Sequence, residues 1–194
     1  MRLRIAISGS AGTGKTTLAR ELSRRLSLPL IPEAMRAYLE AGGKRLDQVP
    51  RPEAEATLTV FCAELEAEES RLGFFVADNG ALDLEAYARW YHCTNVSDSR
   101  NRAARYDAVV ILPAGVLPYE RDGIRQADPA VETRFQEVLE GIAETSGLKS
   151  VLLWIPVHLL TVEARAEWVM ARLKGVGQAP RSGVPCLETC AGPT

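Results

Sequence analysis

Five short apolar runs punctuate the chain: "LRIAI" from Leu3, "LPLI" from Leu28, "FFVA" from Phe74, "AVVIL" from Ala108 and "VLLWI" from Val151. Each is strand-sized and bounded by Gly, Pro, Ser or charged residues, which suits strands buried on both faces. Between them, apolar residues recur every three to four positions. Leu18, Leu22 and Leu26 mark a helix behind the first run, and "AMRAYLEAGG" reads as a second helix stopped by Gly42 and Gly43. Pro50 and Pro52 suit the entry to a long helix from Glu53 to Leu72, with Ala56, Val60, Ala63 and Ala67 among its apolar-face candidates. "LDLEAYARWYHC", the span from Pro129 to Gly147 behind Asp128, and "TVEARAEWVMARLKG" complete the helices. Strand alternating with helix predicts a three-layer α/β sandwich, a parallel sheet of about five strands with helices on both faces.

Directly behind the first run stands "GSAGTGKTT", residues 9 to 17. Gly9, Gly14, Lys15 and Thr16 satisfy G-x-x-x-x-G-K-[ST], the phosphate-binding loop, in the strand, loop, helix order it requires. Such a loop works through bare backbone, because glycines let successive N–H groups turn toward a phosphate that meets no Cβ. The stretch Gly9, Ser10, Ala11, Gly12, Thr13, Gly14, Lys15, Thr16 and Thr17 is therefore expected to hold a nucleoside triphosphate, with Lys15 at the β- and γ-phosphates and the Thr16 hydroxyl on Mg²⁺.

Ligands of a parallel α/β sheet gather at the carboxyl ends of its strands, and this selects further candidates. Asp78 closes "FFVAD" and is expected as the acidic partner of Thr16 at Mg²⁺; the competing reading is a turn-forming aspartate in Asp78-Asn79-Gly80. Glu33 closes "LPLIPE" and could orient an acceptor hydroxyl or take its proton, or else merely begin the next helix. Arg36, one turn on, could hold a substrate or stand in solvent. Arg121 and Arg125 lie on a loop that could neutralise charge in phosphoryl transfer, and count with Lys15, Glu33 and Asp78 as catalytic candidates. Arg100, Arg102 and Arg105 read as a solvated face, and His92 as helix surface or packing.

Composition narrows the partners. A length of 194 residues with 46% hydrophobic and 25% charged residues fits one domain with a sizeable core. We expect that domain over residues 1–174, followed by a poorly ordered tail over 175–194, rich in Pro, Gly and small polar residues. A net charge of −2 gives no support to a nucleic-acid or anionic-membrane binder. No apolar run approaches the roughly 20 residues that cross a bilayer, and "MRLRIAIS" carries no cleavage pattern, so a cytoplasmic protein is expected. Cys186 and Cys190 lack a second ligand pair and read as free thiols. There is no N-K-x-D motif for guanine, which favours ATP, and no late arginine stands out as a nucleotide sensor.

Four stretches, "ISGSAGTGKTTLARELSRRL", "IPEAMRAYLE", "FFVADNGALDLEAYARWY" and "RDGIRQADPAVETRFQEVLEGI", together resemble the P-loop kinase-like AAA domain family, which includes the nicotinamide riboside kinase domains of bacterial NadR proteins. The first stretch is highly specific; the others match as a pattern. The resemblance implies the nucleoside and nucleotide kinase branch of P-loop proteins, with Thr16 and Asp78 serving Mg²⁺, Glu33 on the acceptor hydroxyl, and Arg121 and Arg125 as lid arginines. Many such kinases carry arginine after the strand-ending acid, where this chain has Asn79. The expectation is an ATP- and Mg²⁺-dependent kinase acting on a small molecule such as a nucleoside or ribosyl compound, with a homo-oligomer left open. The alternative is a nucleotide-binding switch, taking ATP or GTP, that acts through a protein partner.

Overall fold

A computed structural model describes residues 2–93, 99–118 and 128–174 of the chain. Its elements follow in the order β1 (Arg4–Ser8), α1 (Lys15–Leu26), β2 (Leu30–Ile31), α2 (Ala34–Glu40), α3 (Arg51–Leu72), β3 (Phe75–Asp78), α4 (Ala81–Trp90), α5 (Ser99–Ala103), β4 (Ala108–Ile111), α6 (Pro129–Thr145), β5 (Leu152–Trp154) and α7 (Val162–Leu173). All five expected strands form. They pair in parallel in the order β2-β3-β1-β4-β5, with Ile5 beside Val76 on one side and Ala108 on the other. Because the strands are parallel, Ser8, Ile31, Asp78 and Ile111 all end at one edge. The loop behind the central strand β1 opens in the middle of that edge, where successive connections leave to opposite sides.

The period-2 geometry of the strands splits the core into two layers. Ile5, Ile7, Val76, Val110 and Leu112 pack with Leu18 and Leu22 of α1 and Ala166 and Val169 of α7. Ala6, Phe75, Ala77, Val109 and Ile111 face the other way, against α3, α4 and α6. The chain is thus the three-layer α/β sandwich expected, a parallel sheet with helices on both faces.

Two expectations are corrected. The buried stripe of α3 is Ala54, Leu58, Phe61, Cys62, Leu65 and Glu69, whereas Ala56, Val60, Ala63 and Ala67 are exposed, Val60 by 52%. Burying leucine and phenylalanine removes more apolar surface from water than burying alanine, so the larger side chains win the inward face. Arg102, expected on a solvated face, is only 5% exposed. Its Nη1 donates to the Cys62 carbonyl at 3.2 Å and its Nη2 lies 3.6 Å from the Glu69 carboxylate. Glu69 in turn accepts the Tyr106 hydroxyl proton, and the Tyr106 oxygen accepts the Ala81 N–H at the start of α4 at 3.1 Å. Burial pushes the Glu69 pKa up and drives Tyr106 well above the usual phenol range. Arg105 does remain exposed. The side chain of Arg100, the loop carrying Arg121 and Arg125, and the tail with Cys186 and Cys190 lie outside the described residues. Among the described residues, no helix is long and apolar enough to cross a membrane.

Candidate active site

The loop between β1 and α1 takes its shape from contacts at its back. Gly14 sits at φ 90°, a left-handed conformation that favours glycine, and a Cβ there would come within 3.2 Å of both Arg165 and Leu117. Three groups grip the loop's carbonyls: Lys15 Nζ and Thr13 Oγ1 both donate to Ser10 O at 2.9 Å, and Arg165 Nη1 donates to Thr13 O at 2.8 Å. In a trans peptide the carbonyl and the following N–H point in opposite directions. Holding the Thr13 carbonyl from behind therefore turns the Gly14 N–H to the front. The N–H groups of Gly12, Thr13, Gly14 and Lys15 meet no acceptor among the described residues, whereas Ser10 N donates to Gln136 Oε1 and Ala11 N to Glu132 Oε2, each at 2.7 Å. Thr16 is half-buried in the first turn of α1, and Thr17 is exposed.

Arg165, late in the chain on α7, reaches this loop. It is only 2% exposed, and its Nε also donates to the Leu159 carbonyl at 2.7 Å. Desolvation lowers its pKa from the ordinary arginine value. In the sequence it reads as one polar position of an amphipathic helix, and nothing local marks it out. Asp83, another residue the pattern hides, is fully buried on α4. It accepts from Ser8 Oγ at 2.6 Å, Gly80 N at 2.9 Å and Gly9 N at 3.2 Å, tying the start of the loop to the end of β3. Burial raises its pKa from 3.8 to about 6, against the pull of the Lys15 charge and these three donors. Close approach here demands glycine, since a Cβ on Gly80 would lie 2.6 Å from that of Ala6.

Beside the loop, the ends of β2 and β3 bring Glu33, Asp78 and Asn79 to one cavity of about 430 Å³. Glu33 is only 4% exposed and stands at the N-cap of α2 without a side-chain capping bond. Instead its Oε1 accepts from Asn79 Nδ2 at 2.8 Å. Asn79 adopts φ 74°, which asparagine tolerates, and its N–H donates to Ile7 O at 3.0 Å. Asp78 is the last residue of β3, and the chain bends at Asn79, whose side chain reaches Glu33. Asp78 is buried and lines the same cavity. Phe61 and Tyr87 supply apolar wall.

Arg36 is not among the lining residues of this cavity or of a second of about 240 Å³ beside Ala11 and Glu132, and its Nη1 lies 3.7 Å from Glu40. Trp90 lines only the second cavity, while Met35 and Tyr87 form a wall common to both. His92 is exposed at the end of α4.

Comparisons with known proteins agree with the fold. A family model described as an AAA domain matches residues 4–158. No curated protein matches the chain in sequence. Among solved structures, NadR protein in complex with NR is similar at 23% identity and a TM-score of 0.67, over 93% of this chain and 53% of that one, so this chain spans about half of NadR. Deoxyadenosine kinase from M. mycoides with bound dATP is similar at 14% identity and a TM-score of 0.61, over 88% and 98% of the two chains. Shikimate kinase from Acinetobacter baumannii in complex with shikimate is similar at 19% identity and a TM-score of 0.59, over 90% and 94%. At these identities the likeness is one of fold.

Proposed function

The chain belongs to the AAA domain family, in its P-loop kinase-like branch, and on that premise we propose that it is an ATP- and Mg²⁺-dependent kinase that phosphorylates a hydroxyl of a small metabolite, a nucleoside or ribosyl compound. One observation carries the reading: the Glu33 carboxylate, buried and oriented by Asn79, lines a metabolite-sized cavity at the same sheet edge as the phosphate loop instead of capping its own helix. A nucleotide switch has no use for such a group.

The chain's own residues then divide the work. The N–H groups of Gly12 to Lys15 cradle the phosphates, and Lys15 exchanges the Ser10 carbonyl for phosphate oxygens as they arrive. Thr16 and Asp78 offer a hydroxyl and a buried carboxylate, the hard oxygen donors that suit Mg²⁺, and a bound Mg²⁺ would neutralise charge on the transferring group. Glu33 orients the acceptor hydroxyl and takes its proton, with Asn79 fixing the carboxylate. Phosphoryl transfer asks mainly for positioning and charge stabilisation, and both are supplied by rigid element ends.

The test is transfer from γ-labelled ATP with Mg²⁺ to a panel of nucleosides, nicotinamide riboside and nucleoside monophosphates. We expect one acceptor class to be labelled, with label lost in Lys15→Ala. Tight ATP binding without transfer to any acceptor would refute the reading.

A further inference from the structure

We propose that Glu132 is an anionic stop on the phosphate loop: its carboxylate occupies the Ala11 N–H with an acceptor of the same charge sign as a phosphate oxygen, and so tunes how the loop ranks nucleotides by their phosphate charge. The role rests on reading the loop as a nucleoside triphosphate site and is independent of which molecule accepts the phosphate.

Two adjacent N–H groups of the loop are held from one helix. Ser10 N donates to Gln136 Oε1 and Ala11 N to Glu132 Oε2, each at 2.7 Å, from positions one turn apart on α6. Gln136 does this with a neutral amide whose orientation is fixed, because its Nε2 donates to Leu112 O at 2.9 Å and to Glu140 Oε1 at 2.8 Å. A neutral oxygen is therefore enough to hold a backbone N–H at this place. The charge on Glu132 is an addition to what the fold requires.

Its position gives that charge an effect. Consecutive Cα atoms are about 3.8 Å apart, so a carboxylate on the Ala11 N–H stands one residue from Gly12, where the run of N–H groups offered to phosphates begins. A hydrogen bond to a charged acceptor is also about twice as strong as a neutral one, which keeps the Ala11 N–H from turning to a second anion. Glu132 is half-buried between the loop and the smaller cavity, where partial exclusion of water lets a charge act over several ångströms. Each phosphate brought into the cradle is attracted by Lys15 and repelled by this carboxylate, and a triphosphate feels the repulsion more than a diphosphate. Arg45 lines the same smaller cavity and donates to Asp47 at 2.9 Å and 2.6 Å. It stays in place in every variant below, so their comparison reads Glu132 alone.

The decisive measurement is calorimetric titration of the full chain with ATP and with ADP, each with Mg²⁺. Glu132→Gln keeps an acceptor for the Ala11 N–H and removes the charge, so ATP affinity should rise about fivefold and the ratio of ATP to ADP affinity about twofold or more. Glu132→Ala removes acceptor and charge together and should raise the same ratio. Gln136→Ala is the control for bracing alone: it strips a neutral acceptor from the Ser10 N–H and should weaken both nucleotides alike, leaving the ratio where it was. An unchanged ratio in Glu132→Gln, a fall in its ATP affinity, or an equal shift of the ratio in Gln136→Ala would overturn the proposal. The expected shift without transfer from γ-labelled ATP to any acceptor would sink the kinase reading alone; failure of the unaltered chain to bind either nucleotide would sink both.

Discussion

The phosphate loop and the cavity lined by Glu33 and Asn79 lie at one sheet edge and are built on opposite principles. The loop is nine consecutive residues whose carbonyls at Ser10 and Thr13 are held by Lys15 and Arg165. The cavity is made of side chains from α2, α3, the end of β3 and α4, brought together across the sequence. A backbone device needs a fixed spacing of small residues, so it can be written as a motif. A side-chain device needs only that the right groups meet in space, so its identity rests on Glu33 and Asn79, which stand 46 residues apart.

The contrast can be broken most forcefully at Lys15. Lys15→Ala should cut transfer about a hundred- to a thousandfold in a steady-state assay by removing a preorganised charge from the loop. Glu33→Gln attacks the cavity side, and turnover should fall about a hundredfold while calorimetry finds ATP affinity unchanged. If both parameters fell together, the two devices would not be separable. Arg165→Ala should weaken ATP binding roughly tenfold and lower stability by about 1–3 kcal/mol in denaturant titration, since it strips a buried donor from the Thr13 carbonyl.

Asp83 sharpens the comparison through pH. Its folded pKa of about 6 lies above the ordinary 3.8, so the native state holds the proton more tightly than the unfolded chain. The sign follows: its contribution to stability is greatest below pH 3.8, declines as pH rises to about 6, and is level beyond. Asp83→Asn should flatten that part of the stability curve, measured by urea melts across the window. The smallest effect belongs to the exposed stripe of α3, where Val60→Glu should move stability by less than about 0.5 kcal/mol.

Element order was legible because apolar runs and helical repeats are local signals. Each of the five runs became a strand, and the loop motif fell where strand gives way to helix. The orientation of α3 was not, because alanines lie on several sides of that helix and the choice between stripes is made by what each side chain meets. Arg102 and Glu69 show the same limit: a charge that looks solvated in sequence is buried because its partner is folded over it. Glu33 and Asp78 were legible from their places behind apolar runs, Asp78 ending β3 and Glu33 standing just beyond β2 at the N-cap of α2. Asp83, Gln136 and Arg165 were not, since their partners in the loop lie 74, 126 and 152 residues away.

That last separation bears on how the protein comes into being. A chain emerging from the ribosome presents its glycine-rich turn early, but the arginine that sets the Thr13 peptide arrives only with α7. Nucleotide capture should therefore be among the last properties a nascent chain acquires, and a ribosome-stalled chain lacking α7 should bind ATP more weakly than the finished one.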